Sequence, residues 1–100
     1  VTSEKPSPQL PNVPPIASVL PGYSAESWFV VVAPKNTPAP IINRMSSEID
    51  KILKKPEIIE RIKQIGGEPV GGTPEDLGKF IAAETAKWKK VVAESGAKID

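Results

Sequence analysis

Carboxylates, lysines, serines and the single tyrosine are the groups through which this 100-residue chain can act, because it contains no histidine and no cysteine. That composition removes thiolate nucleophiles, disulfides, most zinc and transition-metal chemistry, and the commonest general base near neutral pH. No metal site and no cofactor are expected. Lys and Arg number 13 against 12 for Asp and Glu, a formal charge of +1, which creates no field to gather nucleic acid or anionic lipid.

Four features remain as candidates. Glu84 falls, at about 100° per residue, in the middle of an apolar stripe formed by Leu77, Phe80, Ile81, Trp88, Val91 and Val92. A carboxylate there must be hydrogen-bonded, paired or protonated, and backbone N–H groups, an indole N–H or the Tyr23 hydroxyl could serve as partners. Catalysis by Glu84 or Glu26 with a lysine lacks support, since no acid and base pair by spacing. The run Glu26, Ser27 and Trp28 places polar tips beside an aromatic wall at one end of an apolar segment. Ligand sites of open α/β sheets collect at strand ends, and the alternative is that Trp28 is core and Ser27 merely begins a strand. Gly66-Gly67-Glu68-Pro69-Val70-Gly71-Gly72-Thr73 leads into a helix, a place where backbone N–H groups can cradle an anion, but it lacks the Gly-Lys-Ser/Thr ending of a phosphate loop. Helix termination and tight turns explain it without a ligand. Two lysine groups, one from Lys51 to Lys63 and one from Lys79 to Lys90, are interleaved with acids and read as solvated helix faces.

The elements that must position these groups are marked by proline and glycine. Residues 1–22 contain six of the prolines and read as a linker or crossing segment, with a single helical turn near Pro15 to Leu20. Pro21-Gly22 is a turn leading to Ser27–Ala33, whose middle is apolar at every position. A strand with one wet face alternates, whereas a continuous run belongs to a sheet covered on both faces. Thr37-Pro38 opens a helix, with Thr37 as its cap and Pro38 in the first helical position, and with the stripe Ile41, Ile42, Met45, Ile49, Ile52 and Leu53. Pro56 opens a second, ended by Gly66-Gly67, and Thr73-Pro74 opens a third that runs to Ser95, with Gly96 as its stop. Glu68–Val70 and Ala97–Ile99 are weak strand candidates.

The order strand, helix, helix, short strand, helix indicates an α/β class. One buried strand with only weak companions falls short of the roughly five or six strands of a typical sheet, so the chain reads as part of something larger. No run of about eighteen apolar residues and no basic-then-apolar leader occurs. A cytosolic chain and an exported one whose targeting end is missing are both compatible with that pattern.

The succession Leu20-Pro21-Gly22-Tyr23, Ser27-Trp28-Phe29, Ala33-Pro34, Thr37-Pro38-Ala39-Pro40, the glycine-rich run through Thr73-Pro74-Glu75, and Phe80-Ile81 through Glu84 to Trp88 resembles the Bug family. These are solute receptors of bacterial tripartite tricarboxylate transporters. The resemblance runs from about Gln9 onward and implies the C-terminal third of a periplasmic binding protein with a two-domain, type II-like fold. Residues 1–22 would be the crossing segment and 23–100 the α/β segment completing the first domain. It further implies capture of a small carboxylate, delivery to a membrane permease, no enzymatic step, and a periplasmic location. Ser27 and Trp28, with Glu26 as a third, are the ligand contacts it implies. Val30 and Val31 stand where the family often has glycine. The competing expectation is an autonomous interaction module that self-associates by pairing its apolar strand with that of another copy.

Overall fold

Helices form where proline and glycine punctuate the chain, as seen in a computed structural model that describes residues 1–99. Helix α1 spans Ala39–Leu53, α2 spans Pro56–Gln64 and α3 spans Pro74–Ser95, after one 3₁₀ turn at Ile16–Ser18. The start of α3 is the most completely specified. The Thr73 hydroxyl accepts from the Asp76 N–H at 3.1 Å while the Asp76 carboxylate accepts from the Thr73 N–H at 3.1 Å. This reciprocal capping box satisfies two otherwise unpaired donors. Gly96, with φ of 70°, ends the helix in the left-handed region.

The end of α2 is equally local. Gly67 N–H donates to Ile62 O at 3.0 Å and Gly66 N–H to Lys63 O at 2.9 Å, with Gly66 at φ 80°. These two bonds make a Schellman ending, which requires the positive φ that glycine adopts freely. Helix α1 departs from expectation. Its N-cap is Pro38, not Thr37, and no side chain caps it. The Thr37 hydroxyl donates instead to Pro34 O at 2.7 Å, closing a tight turn around Asn36 at φ 67°.

Helix α1 touches both α2 and α3, which do not touch each other among the described residues. Ile42, Ile49 and Leu53 of α1 become half-buried, as do Ile58, Ile59 and Ile62 of α2 and Leu77 and Ile81 of α3. The rest of each apolar stripe stays open: Ile41, Met45, Ile52, Phe80, Trp88, Val91 and Val92 are all exposed. No described residue is fully buried. The accessible surface is 8528 Å², against about 5,500 Å² for a compact chain of this mass. The radius of gyration is 16.4 Å, where about 13 Å is usual for this length.

The expected strands do not form ladders. No strand is present among the described residues, and Ser27–Ala33, Glu68–Val70 and Ala97–Ile99 all lack regular structure. A strand needs a neighbour for its N–H and C=O groups, and no segment lies beside 27–33 to supply one. Phe29 is 97% exposed and Val32 75%. Among the described residues the chain is helical, and the strands of the expected α/β order are not seen.

The N-terminal residues are tied back by a few bonds. Val1 N donates to Pro14 O at 3.0 Å, while Ile16 N–H donates to Val1 O and Ala25 N–H to Thr2 O, each at 2.9 Å. Gln9 Nε2 reaches Lys63 O near the end of α2 at 2.8 Å. Among the described residues no helix is long and apolar enough to cross a membrane.

Candidate functional site

The polar residues that begin the apolar segment are held against one face of α3. Phe80, Glu84 and Lys87 are spaced by four and three, which places them on that face together. Trp28 packs edge-to-face on Phe80, with ring centroids 5.2 Å apart and planes at 79°, the geometry that the ring quadrupoles favour. The Lys87 ammonium donates to Ser24 O at 3.1 Å and Ser24 Oγ at 3.2 Å and pairs with Glu84 Oε1 at 2.9 Å. Two of its donors thus go to Ser24, and its charge is balanced by Glu84.

Glu84 completes the group. Its Oε2 accepts from the Trp88 indole N–H at 2.8 Å, and its side chain is 16% exposed. Hydrogen bonding from Lys87, then from Trp88, holds its carboxyl below the usual carboxylate range despite partial desolvation, with the Trp28 indole adding the smallest share. The expected indole partner is thus present, whereas Tyr23 is not among the Glu84 partners. Both main partners sit on α3 itself, so the link to the apolar segment runs mainly through Lys87. The Lys87 ammonium also lies 5.5 Å from the Trp88 ring centroid, within cation–π range.

Trp28 is 40% exposed, with one side on Phe80 and the rest accessible; Glu26 and Ser27 are exposed beside it. Lys87 and Ser24 were not legible as part of this group. Lys87 reads as one of several solvated lysines, yet it is only 31% exposed; its spacing from Phe80 and Glu84 was the available signal.

The glycine-rich loop is not an anion cradle. The two backbone donors preceding α3 are already taken by carboxylates of the chain: Asp76 on Thr73 N–H at 3.1 Å and Asp50 on Gly72 N–H at 3.3 Å. Asp50 also pairs with Lys54 at 2.8 Å, and these contacts, Lys54 first, lower its pKa. Gly71 is needed here, since a Cβ would lie 2.5 Å from Asp50 Oδ1 and φ is 69°. The groove alongside, lined by Asn43, Ser47, Asp50, Thr73 and Glu75, carries negative groups and would repel a carboxylate.

Comparison with known proteins agrees with the order of motifs. The family model described as tripartite tricarboxylate transporter family receptor matches residues 1–97. A UPF0065 protein from the tcbD-tcbE intergenic region of Pseudomonas sp. (strain P51) is 42% identical over 96 residues, covering 94% of this chain and 29% of that protein. Protein BugT of Bordetella pertussis is 36% identical over 100 residues, covering 99% of this chain and 31% of its own. The solved structure of R. palustris Rpa4515 with adipate superposes with a TM-score of 0.80 at 36% identity, over 95% of this chain and 32% of that one. The chain thus spans about a third of the length of these relatives. Matched across almost all of its residues, the chain belongs to the tripartite tricarboxylate transporter receptor family, a class of transport receptors rather than enzymes.

Proposed function

We propose that this chain is the C-terminal third of a periplasmic solute-binding receptor that captures a small carboxylate and passes it to the membrane permease of a tripartite transporter. Residues 1–22 act as the segment crossing between two domains, and residues 23–100 complete the first. The ligand lies against the start of the apolar segment, where Ser27 donates a hydroxyl, Trp28 supplies a wall, and Glu26 sits at the rim. The observation that carries this reading is the unpartnered apolar segment Trp28–Val32, in a chain that overlays one third of a receptor solved with adipate. A sheet contributed by the rest of such a receptor gives that segment its neighbours on both sides.

Calorimetry against succinate, glutarate, adipate and citrate tests the proposal. The complete receptor should bind at least one of them, and Ser27→Ala and Trp28→Ala should each weaken that binding, by about tenfold for each 1.4 kcal/mol lost. The isolated 100 residues should bind none. Micromolar binding by the isolated monomer, or unaltered binding in both variants, would overturn the assignment. The autonomous-dimer alternative finds no support in the relatives, each of which matches over a minor part of a longer chain.

A further inference from the structure

We propose that Lys87 is a positioning residue for ligand binding, fixing the backbone that presents Ser27 and Trp28 without itself touching the ligand. This rests on the reading of that segment as the carboxylate site. Between Tyr23 and Pro34 the chain has no strand or helix to set its course. Its start is held on one side by Ala25 N–H on Thr2 O at 2.9 Å and on the other by Lys87, which takes both the carbonyl and the hydroxyl of Ser24. Binding both oxygens of one residue fixes the peptide plane joining 24 to 25, two residues before Ser27.

Lys87 can do this because its own position is fixed. Glu84 Oε1 neutralises the ammonium at 2.9 Å, and Glu84 is in turn held by the Trp88 indole at 2.8 Å. A relay from Trp88 through Glu84 and Lys87 to Ser24 therefore transmits the register of α3 to the segment, and the Trp28–Phe80 contact anchors it again at Trp28. A ligand group that must meet Ser27 and Trp28 together is sensitive to displacements of about 1 Å in their carrier. Two of its donors go to Ser24 and its charge is paired with Glu84.

The test uses the complete receptor, with adipate and the other linear dicarboxylates as probes. Lys87→Met should weaken binding by about tenfold, shift the Trp emission maximum, and lower the urea midpoint of the ligand-free protein modestly because Glu84 loses its partner; Lys87→Arg should recover most of the affinity. Ser24→Ala, which removes one acceptor and poses little threat to folding, should lower affinity by a smaller factor and should lower it no further when Lys87→Met is present. Wild-type affinity in Lys87→Met overturns the positioning role while leaving the carboxylate site standing. So does additive loss in the double variant, or, should Lys87→Met not fold, wild-type affinity in Ser24→Ala. A wild-type receptor that binds no probe overturns both.

Discussion

Residues 37–96 and residues 1–36 face the same requirement, that backbone donors and acceptors find partners, and meet it in different ways. In the helical region the partner lies four residues away, and residues such as Thr73, Asp76 and Gly66 finish the ends. In the preceding region the apolar run Trp28–Val32 has a sequence suited to the interior of a sheet but no strand to pair with among the described residues. Helical structure is settled by nearby residues, whereas a strand is settled by whatever lies beside it. The excess surface follows from the second case: apolar faces prepared on α1, α3 and the run itself are covered only in part.

The largest effect that can break this comparison is at Phe29. In the isolated chain, where it is 97% exposed, Phe29→Ala should change stability by less than about 0.5 kcal/mol. If the run joins a covered sheet in the complete receptor, as proposed, the same substitution should cost roughly 3–5 kcal/mol, read from urea midpoints. Equal effects in the two settings would dissolve the contrast.

A smaller effect sharpens the helical side. Thr73→Ala removes half of the capping box and should cost about 1 kcal/mol, visible in the complete receptor as a lower urea midpoint. In the isolated chain it should appear as reduced far-ultraviolet helicity, because the cap is local and does not depend on a sheet. A loss seen only in the complete receptor would mean that α3 depends on tertiary packing more than on its own ends.

The smallest effect concerns pH and the junction of the two regions. Glu84 is lowered by Lys87 and then Trp88, so its folded-state pKa lies below its unfolded value. The stabilisation it provides is fully present above the unfolded value, near 4.3, and is lost as pH falls through the folded one. Tryptophan emission should therefore hold steady from pH 7 to about 5 and change on further acidification, and Glu84→Gln should flatten that change. Asp50 and Asp76 are lowered too, so helicity will also fall in acid. The comparison with Glu84→Gln isolates the junction.

What the sequence disclosed follows the same division. The bounds of α2 and α3 were readable because Pro56, Gly66, Thr73, Pro74 and Gly96 act within one turn of where they stand. The cap of α1 was misplaced at Thr37 because Thr37-Pro38-Ala39-Pro40 offers two prolines as first-turn residues, and the Pro34–Thr37 turn claims the hydroxyl. Glu84 was recognisable as a carboxylate needing a partner, and its indole bond was among the options. Lys87 and Asp50 were not, since their contacts with Ser24 and Gly72 join residues 63 and 22 apart. Ser27, Trp28 and Glu26 are candidates by their adjacency to the apolar run and by the family resemblance, and the structure adds the contact of Trp28 on Phe80.

Amide hydrogen exchange across residues 28–33, measured in the isolated chain and in the complete receptor, addresses the central claim most directly. Slow exchange in the complete receptor and exchange near the unprotected rate in the isolated chain is the expected result, since only the former supplies neighbours for those N–H groups. Strong protection in the isolated monomer, or none in the complete receptor, would contradict the view that this run is an inner strand awaiting the rest of its sheet.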